Sequence, residues 1–205
     1  HIGIAIQRAM EIVPYLYPKF LEEYPYVKLE FYEKGSTALE KSILEQKVDF
    51  ACLATVPQNP NLTYELIKEE YPVLLANKQC MIVNKYPPGT PVDIWEAREE
   101  TFISCKQGHG IRKTQDILFL SRGISPKIAF EIDSVEVAKR TVAASKSVTV
   151  CPDTFAALDG GYPYCVYPLK NVDVSRHFYV CYRKGSYLNQ YQKGFLRILH
   201  EMPKA

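Results

Sequence analysis

The sequence predicts an α/β fold made of two similar halves. A short apolar strand, a polar turn and an amphipathic helix follow one another twice, first over residues 2–21 and again over residues 101–120. Strand-like and helical segments also alternate along the rest of the chain, which is typical of mainly parallel sheets. Because no flexible linker separates the halves, we expect the chain to cross between them through strands, near residues 76 and 173.

The first strand–turn–helix unit consists of a strand over residues 2–6, a turn at Gln7 and Arg8, and a helix with an apolar face through Leu16 and Phe20. A strand that leads into a helix leaves the first N–H groups of the helix unpaired beside the strand's carboxyl end. Such a turn is a potential seat for a small anion.

The second unit repeats this order with a strand over residues 101–104, a turn over residues 105–110 and a helix through Ile117, Leu118 and Leu120. Its turn is a second potential anion seat. Two potential anion-binding turns, one in each half of the chain, therefore predict a ligand-binding cleft.

The remaining elements are predicted from apolar alternation and from turn and cap residues. Further strands are expected at residues 27–32, 50–54, 62–67, 73–75, 80–83, 127–132, 148–150, 164–169 and 177–182. Helices are expected at residues 39–44, 94–95, 135–144 and 188–199, and a short one opens at Asp153 or Thr154. Ser36 or Thr37 is expected to cap the helix at 39–44, and Asp133 or Ser134 the helix at 135–144.

Composition describes an ordinary globular chain that can bury a substantial core. The 205 residues are 47% hydrophobic and 23% charged, and 25 Lys plus Arg against 23 Asp plus Glu leave a formal charge of +2. This balance does not favour binding to nucleic acid or to a membrane surface. No apolar run approaches the roughly 20 residues of a membrane span. Because the chain begins at His1 without a methionine, we expect a fragment or a processed chain.

The six cysteines are expected to be free thiols. None forms a CxxC pair, and all except Cys105 lie in or beside apolar strand-like runs. That usage favours a reducing cytoplasm over a disulfide scaffold. Cys105 differs because it lies at a strand-to-turn junction, next to Lys106, where its thiol is either buried, cleft-lining or redox-sensitive.

Several positions, in order along essentially the whole chain, carry a family resemblance. They are Gly3, Pro14, Phe20, Tyr24, Pro25, Val27, Gly35, Ser36, Leu44, Asp49, Arg112, the helix at residues 135–144 and the strand at residues 148–152. This pattern resembles the effector-binding domain of LysR-type transcriptional regulators. The resemblance is specific to the family and not to a ligand.

The resemblance implies two Rossmann-like subdomains joined by two crossover strands, as in type II periplasmic binding proteins. Residues 1–76 and 174–205 would form subdomain I, and residues 77–173 would form subdomain II. A small effector would bind in the cleft between them. The winged helix-turn-helix that contacts DNA would precede His1 and is missing, which agrees with the nearly neutral charge. A homodimer or homotetramer in the cytoplasm is implied.

The same resemblance places effector-binding residues on both subdomains. They are Gln7, Arg8, Ser36, Thr37, Cys105, Lys106, Gln107, Val150, Cys151 and Pro152. Hydroxyls and helix N–H groups beside a lysine or arginine suit a small carboxylate or similar anion. Structural alternatives remain open: the hydroxyls as helix caps, the cations as solvated surface charges, and the glutamines as partners of turn backbones.

Peroxide-sensing relatives offer a rival role for Cys105. The resemblance implies that in such relatives the reactive cysteine directly follows a Gly-His pair. In this sequence, Gly110 follows Gly108 and His109 instead. The chain also has no second cysteine a turn or two later. We therefore expect Cys105 to be buried or to line the cleft.

Three functional classes fit a two-lobed α/β chain. The leading expectation is a regulator that senses a small effector, and the alternative is a solute-binding protein of a transporter, which would be secreted. Free cysteines argue against secretion. An enzyme is discounted because no nucleophile–base pair, carboxylate dyad or metal cluster emerges from the sequence. We expect no cofactor, no metal and no membrane partner.

Overall fold

The computed structural model describes residues 1–157, 161–171 and 176–203, and these divide into two units. The first unit runs from His1 to Glu69 and resumes at Arg176, and the second begins at Glu70. The sequence placed the first boundary at residue 76. The difference arises because residues 72–77 pair with strands of the second unit. The second expected crossing, near residue 173, lies outside the described residues.

The secondary structure alternates along the chain as an α/β fold requires. The elements are β1 (Ile2–Ala5), α1 (Ile6–Glu23), β2 (Phe31–Lys34), α2 (Ser36–Leu44), β3 (Phe50–Ala54), β4 (Leu62–Glu70), β5 (Pro72–Asn77), α3 (Met81–Lys85), a 3₁₀ helix (Ile94–Ala97), β6 (Thr101–Cys105), α4 (Gly110–Ser121), β7 (Lys127–Ile132), α5 (Val135–Ala144), β8 (Val148–Pro152), α6 (Asp153–Ala157), β9 (Tyr164–Pro168), β10 (Arg176–Arg183) and α7 (Gln190–His200). No helix in the described ranges is long and apolar enough to cross a membrane.

The first unit is a sheet with helices on both faces. Its strands lie in the order β2-β1-β3-β10-β4, with β1 parallel to β2 and β3, and β10 antiparallel to β3. On one face, buried side chains of α1 and α7 pack against Ile4, Phe50 and Val180. On the other, Leu39 and Ile43 of α2 pack against the sheet. Hydrophobic burial on both faces therefore stabilises a doubly wound unit.

The second unit repeats this arrangement. Its strands lie in the order β7-β6-β8-β5-β9, with β6 parallel to β7 and β8, and β5 antiparallel to β8 and β9. One face packs Phe102 and Tyr167 against α4, and the other packs Ile103 and Cys151 against α5. The predicted α/β class with two sheet-and-helix units is confirmed.

Each sheet has a point where the strand order reverses. The chain passes from β1 to β2 on one side and then to β3 on the other, and β6, β7 and β8 are connected in the same way. In open α/β sheets, ligands bind outside the carboxyl ends of strands at such a switch point. The topology therefore predicts a ligand site at the carboxyl ends of β1 and β3 in the first unit, and at those of β6 and β8 in the second.

Two predicted strands are wrong in position or type. The strand expected at residues 27–32 is Phe31–Lys34, because Val27 and Leu29 pack against the core outside the ladder. The strand expected at residues 80–83 is the helix α3. Its Ile82 N–H donates to the carboxylate of buried Glu100 over 2.9 Å, a long-range bond that a local apolar pattern cannot reveal.

Candidate functional site

Gln7 and Arg8 lie in the first turn of α1 and not in a turn before it, because the helix already begins at Ile6. The N-cap residue is Ala5, which has no side chain that can accept a capping bond, and the first turn holds no acidic residue. The expected turn is therefore a direct strand-to-helix junction. Its helix N–H groups lie at the carboxyl end of β1.

Arg8 is a buried cation and not a solvated one. Its side chain is 2% exposed, its Nη1 donates to Glu11 Oε2 over 3.1 Å, and its Cζ lies 4.7 Å from the centre of the Phe178 ring. Buried Lys68 also pairs with Glu11. One carboxylate thus holds two buried cations, and such cations persist inside a fold because they are paired.

Ser36 joins the start of α2 to the end of β3. Gly35 is the N-cap residue, so the prediction that Ser36 or Thr37 caps the helix is wrong. The Ser36 hydroxyl instead donates to the Ala54 carbonyl over 3.1 Å. Thr37 is exposed beside it. Since β2 and β3 flank β1 and run parallel to it, Ser36, Thr37 and the start of α1 all lie on the side of the sheet where these strands have their carboxyl ends, here called the switch-point edge.

Cys105 is the last residue of β6 and is buried, whereas the sequence placed it in the turn. Its N–H donates to Gln115 Oε1 over 3.2 Å, and its carbonyl accepts from Arg112 Nη1 over 2.9 Å. Gln115 Nε2 in turn donates to the Val150 carbonyl over 2.9 Å. A buried side-chain amide therefore bridges the ends of β6 and β8 at the switch point.

Lys106 and His109 share one carboxylate. Lys106 Nζ donates to Asp133 Oδ2 over 2.7 Å, and His109 Nε2 lies 3.0 Å from Asp133 Oδ1. The bond from Lys106, followed by that from His109, lowers the pKa of Asp133 below its ordinary value. The predicted binding lysine is thus ion-paired in this state.

The other predicted residues of the second unit are one exposed glutamine and three buried residues at the end of β8. Gln107 is exposed, with its Nε2 3.5 Å from Asp116 Oδ2. Val150, Cys151 and Pro152 are buried and end β8. Pro152 has no N–H, so the end of β8 has few backbone donors for a ligand.

Among the described residues, the helices differ in how their N-termini are satisfied; α3 has no side-chain cap at Cys80, but its Ile82 N–H donates to the Glu100 carboxylate. The 3₁₀ helix, α5 and α7 are capped by side chains of Asp93, Ser134 and Asn189. In the described part of the chain, the N-cap residues of α1, α2 and α4 make no side-chain capping bond, and no acidic residue lies in their first turns. The positive ends of these three helix dipoles therefore favour an anion.

The sequence does not predict the roles of two residues near these strand ends, Gln115 and Asp133. Gln115 lies on the apolar face of α4, and nothing in a helical pattern distinguishes a glutamine that bridges two strands. The sequence predicts Asp133 only as a helix cap, although it directly follows β7 as the turn residue Lys106 follows β6. The equivalence of the two strand ends is the signal that could have revealed it.

The described residues contain no group of three or more His, Cys, Asp or Glu side chains that could hold a metal ion. All six cysteines are free and buried. Burial raises the pKa of the Cys52 and Cys80 thiols to about 12.

Comparison with known proteins decides the family. The family model described as the LysR substrate binding domain matches residues 1–204. The chain belongs to this family. Relatives of the LysR domain include an uncharacterized HTH-type transcriptional regulator, YcgK, of Bacillus subtilis, 26% identical over 99% of this chain and 66% of its own length. The activator CmpR of Synechocystis is 21% identical over 94% of this chain and 62% of its own length. The chain therefore spans slightly under two thirds of these regulators.

Solved structures agree with the fold of the LysR domain. The regulatory domain of Synechocystis CcmR, in complex with 2-PG, has a TM-score of 0.80 at 18% identity and covers 97% of this chain and 94% of its own. The effector-binding domain of BenM, with its effector benzoate, has a TM-score of 0.81 at 17% identity, with coverages of 98% and 89%. At these identities the likeness extends to fold alone.

The structure groups the predicted residues of the LysR domain by unit. Gln7, Arg8, Ser36 and Thr37 belong to the switch-point edge of the first unit, and the remaining six to that of the second. That both groups line one shared cleft stays a prediction.

Proposed function

We propose that this LysR domain is the effector-sensing part of a cytoplasmic, DNA-binding transcriptional regulator, and that its effector is a small anionic metabolite. The regulator would contact DNA through an N-terminal winged helix-turn-helix beyond this chain. It would assemble as a homodimer or homotetramer, in which effector binding shifts the balance between two arrangements of subunits. No enzymatic activity is proposed.

The observation that carries the proposal is the set of three helix N-termini without a side-chain cap at the ends of β1, β2 and β6. The first N–H groups of a helix have no acceptor within the helix itself, and a carboxylate or phosphate oxygen is the acceptor that a helix dipole favours most. The relatives support small anions as a class, since those of known structure include complexes with shikimate, 2-PG and benzoate.

The transporter alternative is not favoured. A secreted solute-binding protein of this fold would fold in an oxidising compartment, where six free cysteines are unusual. The curated relatives are transcriptional regulators. An enzyme is equally disfavoured, because Lys106 and His109 are both paired with Asp133 and the cysteines are buried.

A paired ligand screen tests the proposal. Thermal unfolding of the purified domain is followed with a panel of small carboxylates and phosphates, each beside its neutral amide or alcohol. A hit stabilises the folded state in proportion to its occupancy. We expect hits among the anions alone, confirmed by native mass spectrometry as one ligand per domain. Hits confined to neutral compounds would contradict the anionic class.

A second arm tests the regulatory role. The full-length protein, with the sequence that precedes this chain, is assayed for binding to the DNA upstream of its own gene in the presence and absence of the hit. We expect the ligand to change the affinity or the length of the DNA footprint. A full-length protein that binds the ligand without any DNA affinity would contradict the role.

A further inference from the structure

The Asp133 carboxylate contacts two side chains that lie just before the start of α4. It follows the end of β7, and each of its two oxygens is bound by a different residue of the loop between β6 and α4. Lys106 Nζ is 2.7 Å from one oxygen, and His109 Nε2 is 3.0 Å from the other. A carboxylate held by two side-chain donors is what an incoming anionic ligand would itself present.

The contact of Asp133 with Lys106 and His109 lies at the start of α4. His109 is the N-cap residue of that helix and makes no capping bond with its own side chain in the described structure. The backbone keeps the partners adjacent, because Lys106 N–H donates to the carbonyl of Ile132, the neighbour of Asp133, over 3.1 Å. The carboxylate therefore lies within one side-chain length of a helix terminus that attracts anions.

The contact between Asp133, Lys106 and His109 is open to solvent. The side chains of Asp133, Lys106 and His109 are 60%, 52% and 35% exposed. Ion pairs at this exposure contribute little net stability, because water screens them. An arriving anion therefore competes with Asp133 for Lys106 and His109 against a contact of small net stability.

We propose that Asp133 is a specificity-determining residue of the effector site, acting as an internal competitor for Lys106 and His109. This inference rests on the proposed function, because it concerns the same anion seat. An anion that offers only its charge must displace or tolerate the Asp133 carboxylate and binds weakly. An effector with further contacts overcomes this competition, so the carboxylate rejects simple anions that are abundant in the cell.

The competition is tested by removing the charge and keeping the shape. Asp133→Asn retains a carbonyl oxygen for Lys106 and removes the negative charge. Glu30→Gln is the matched control, since the Glu30 carboxylate also bridges a lysine and a second donor, with Lys28 Nζ at 2.6 Å and Tyr32 Oη at 2.9 Å. Glu30 is not part of the predicted site.

The probes are acetate and its neutral isostere acetamide, titrated at constant ionic strength. Binding is read from the NMR shifts of the backbone amides of residues 106–112. We expect Asp133→Asn to tighten the acetate Kd about two- to five-fold, the size of a screened surface ion pair. Glu30→Gln should leave the acetate Kd unchanged, and acetamide should not distinguish the three proteins.

The outcomes separate this inference from the function on which it rests. If acetate saturates the wild type and Asp133→Asn with equal affinity, the competitor role is overturned and the anion seat stands. If neither protein gives a saturable response at these amides, the seat and the competitor role both fall. An equal gain in Glu30→Gln would assign the effect to net charge and would also overturn the competitor role.

Discussion

The side-chain amide of Gln115 donates to the backbone carbonyl of Val150 over 2.9 Å, and so joins β8 to a helix that follows β6. Phe102 and Val148 are the paired residues of the β6–β8 ladder. Beyond them, the Gln115 amide connects the N–H of Cys105 to the Val150 carbonyl. A side-chain amide therefore links the ends of β6 and β8 at the switch point of the second unit.

Replacing Gln115 with Leu should destabilise the domain by about 1–3 kcal/mol, because a buried N–H and a buried carbonyl both lose their partner. Chemical denaturation measures this change. Gln107→Leu is the control, since Gln107 is exposed and an exposed substitution typically changes stability by less than about 0.5 kcal/mol. Equal effects of the two substitutions would contradict the bridging role.

Thr154→Val should cost more stability than Thr149→Val, by about 1 kcal/mol, because hydrogen bonds to charged groups are the stronger ones. Both threonines are buried. Thr154 Oγ1 donates to the carboxylate of buried Glu70 over 2.6 Å, whereas Thr149 Oγ1 donates to the neutral carbonyl of Ile103 over 2.8 Å. Urea unfolding of the two variants decides the order, and a larger loss in Thr149→Val would refute it.

Gly3→Ala should destabilise the first unit by about 1–3 kcal/mol through overpacking. A Cβ at Gly3 would lie 2.7 Å from Leu39 Cδ2, where α2 packs on β1. Gly35→Ala is the matched comparison, because a Cβ there meets nothing within 4 Å. We expect it to cost less than about 1 kcal/mol, the size of an N-cap preference. Thermal unfolding of both variants tests the contrast.

Cysteine labelling separates a buried Cys105 from a redox-sensing one. Cys105 is 2% exposed, and burial raises the pKa of the Cys52 thiol to about 12. We therefore expect iodoacetamide at pH 8 to modify none of the six thiols in the folded domain and all of them in denaturant. Mass spectrometry counts the adducts. Rapid modification of Cys105 in the folded protein would favour the redox-sensing alternative.

Ser36→Ala and Lys106→Met should each weaken binding of an anionic effector while the domain stays folded. Ser36 is part-buried and its hydroxyl donates to Ala54, and Lys106 is half exposed and paired with Asp133, so neither anchors the core. Calorimetry with a ligand from the screen measures the loss, which we expect to reach about 1 kcal/mol or more. Unchanged affinity in both variants would remove Ser36 and Lys106 from the site.

Sequence reasoning predicted the fold more completely than the site. Regular patterns revealed β3, β7 and α5, because buried strands and capped amphipathic helices leave local signatures. The cap of α2 is Gly35 and not the predicted serine, because a serine near a helix start resembles a cap whether or not its hydroxyl bonds elsewhere. The sequence does not decide whether Arg8 is a solvated surface cation or an effector-binding residue. Its contacts with Glu11 and Phe178 show that it is buried.

We propose that an anionic effector binds at helix N-termini on the switch-point edges. Mapping the amide NMR shifts of the domain during titration with a ligand from the screen tests this binding most directly. We predict that the largest shifts fall on the first-turn amides of α1, α2 and α4, at residues 6–8, 36–38 and 110–112. Saturable binding that leaves these amides unshifted and perturbs another surface would contradict the claim.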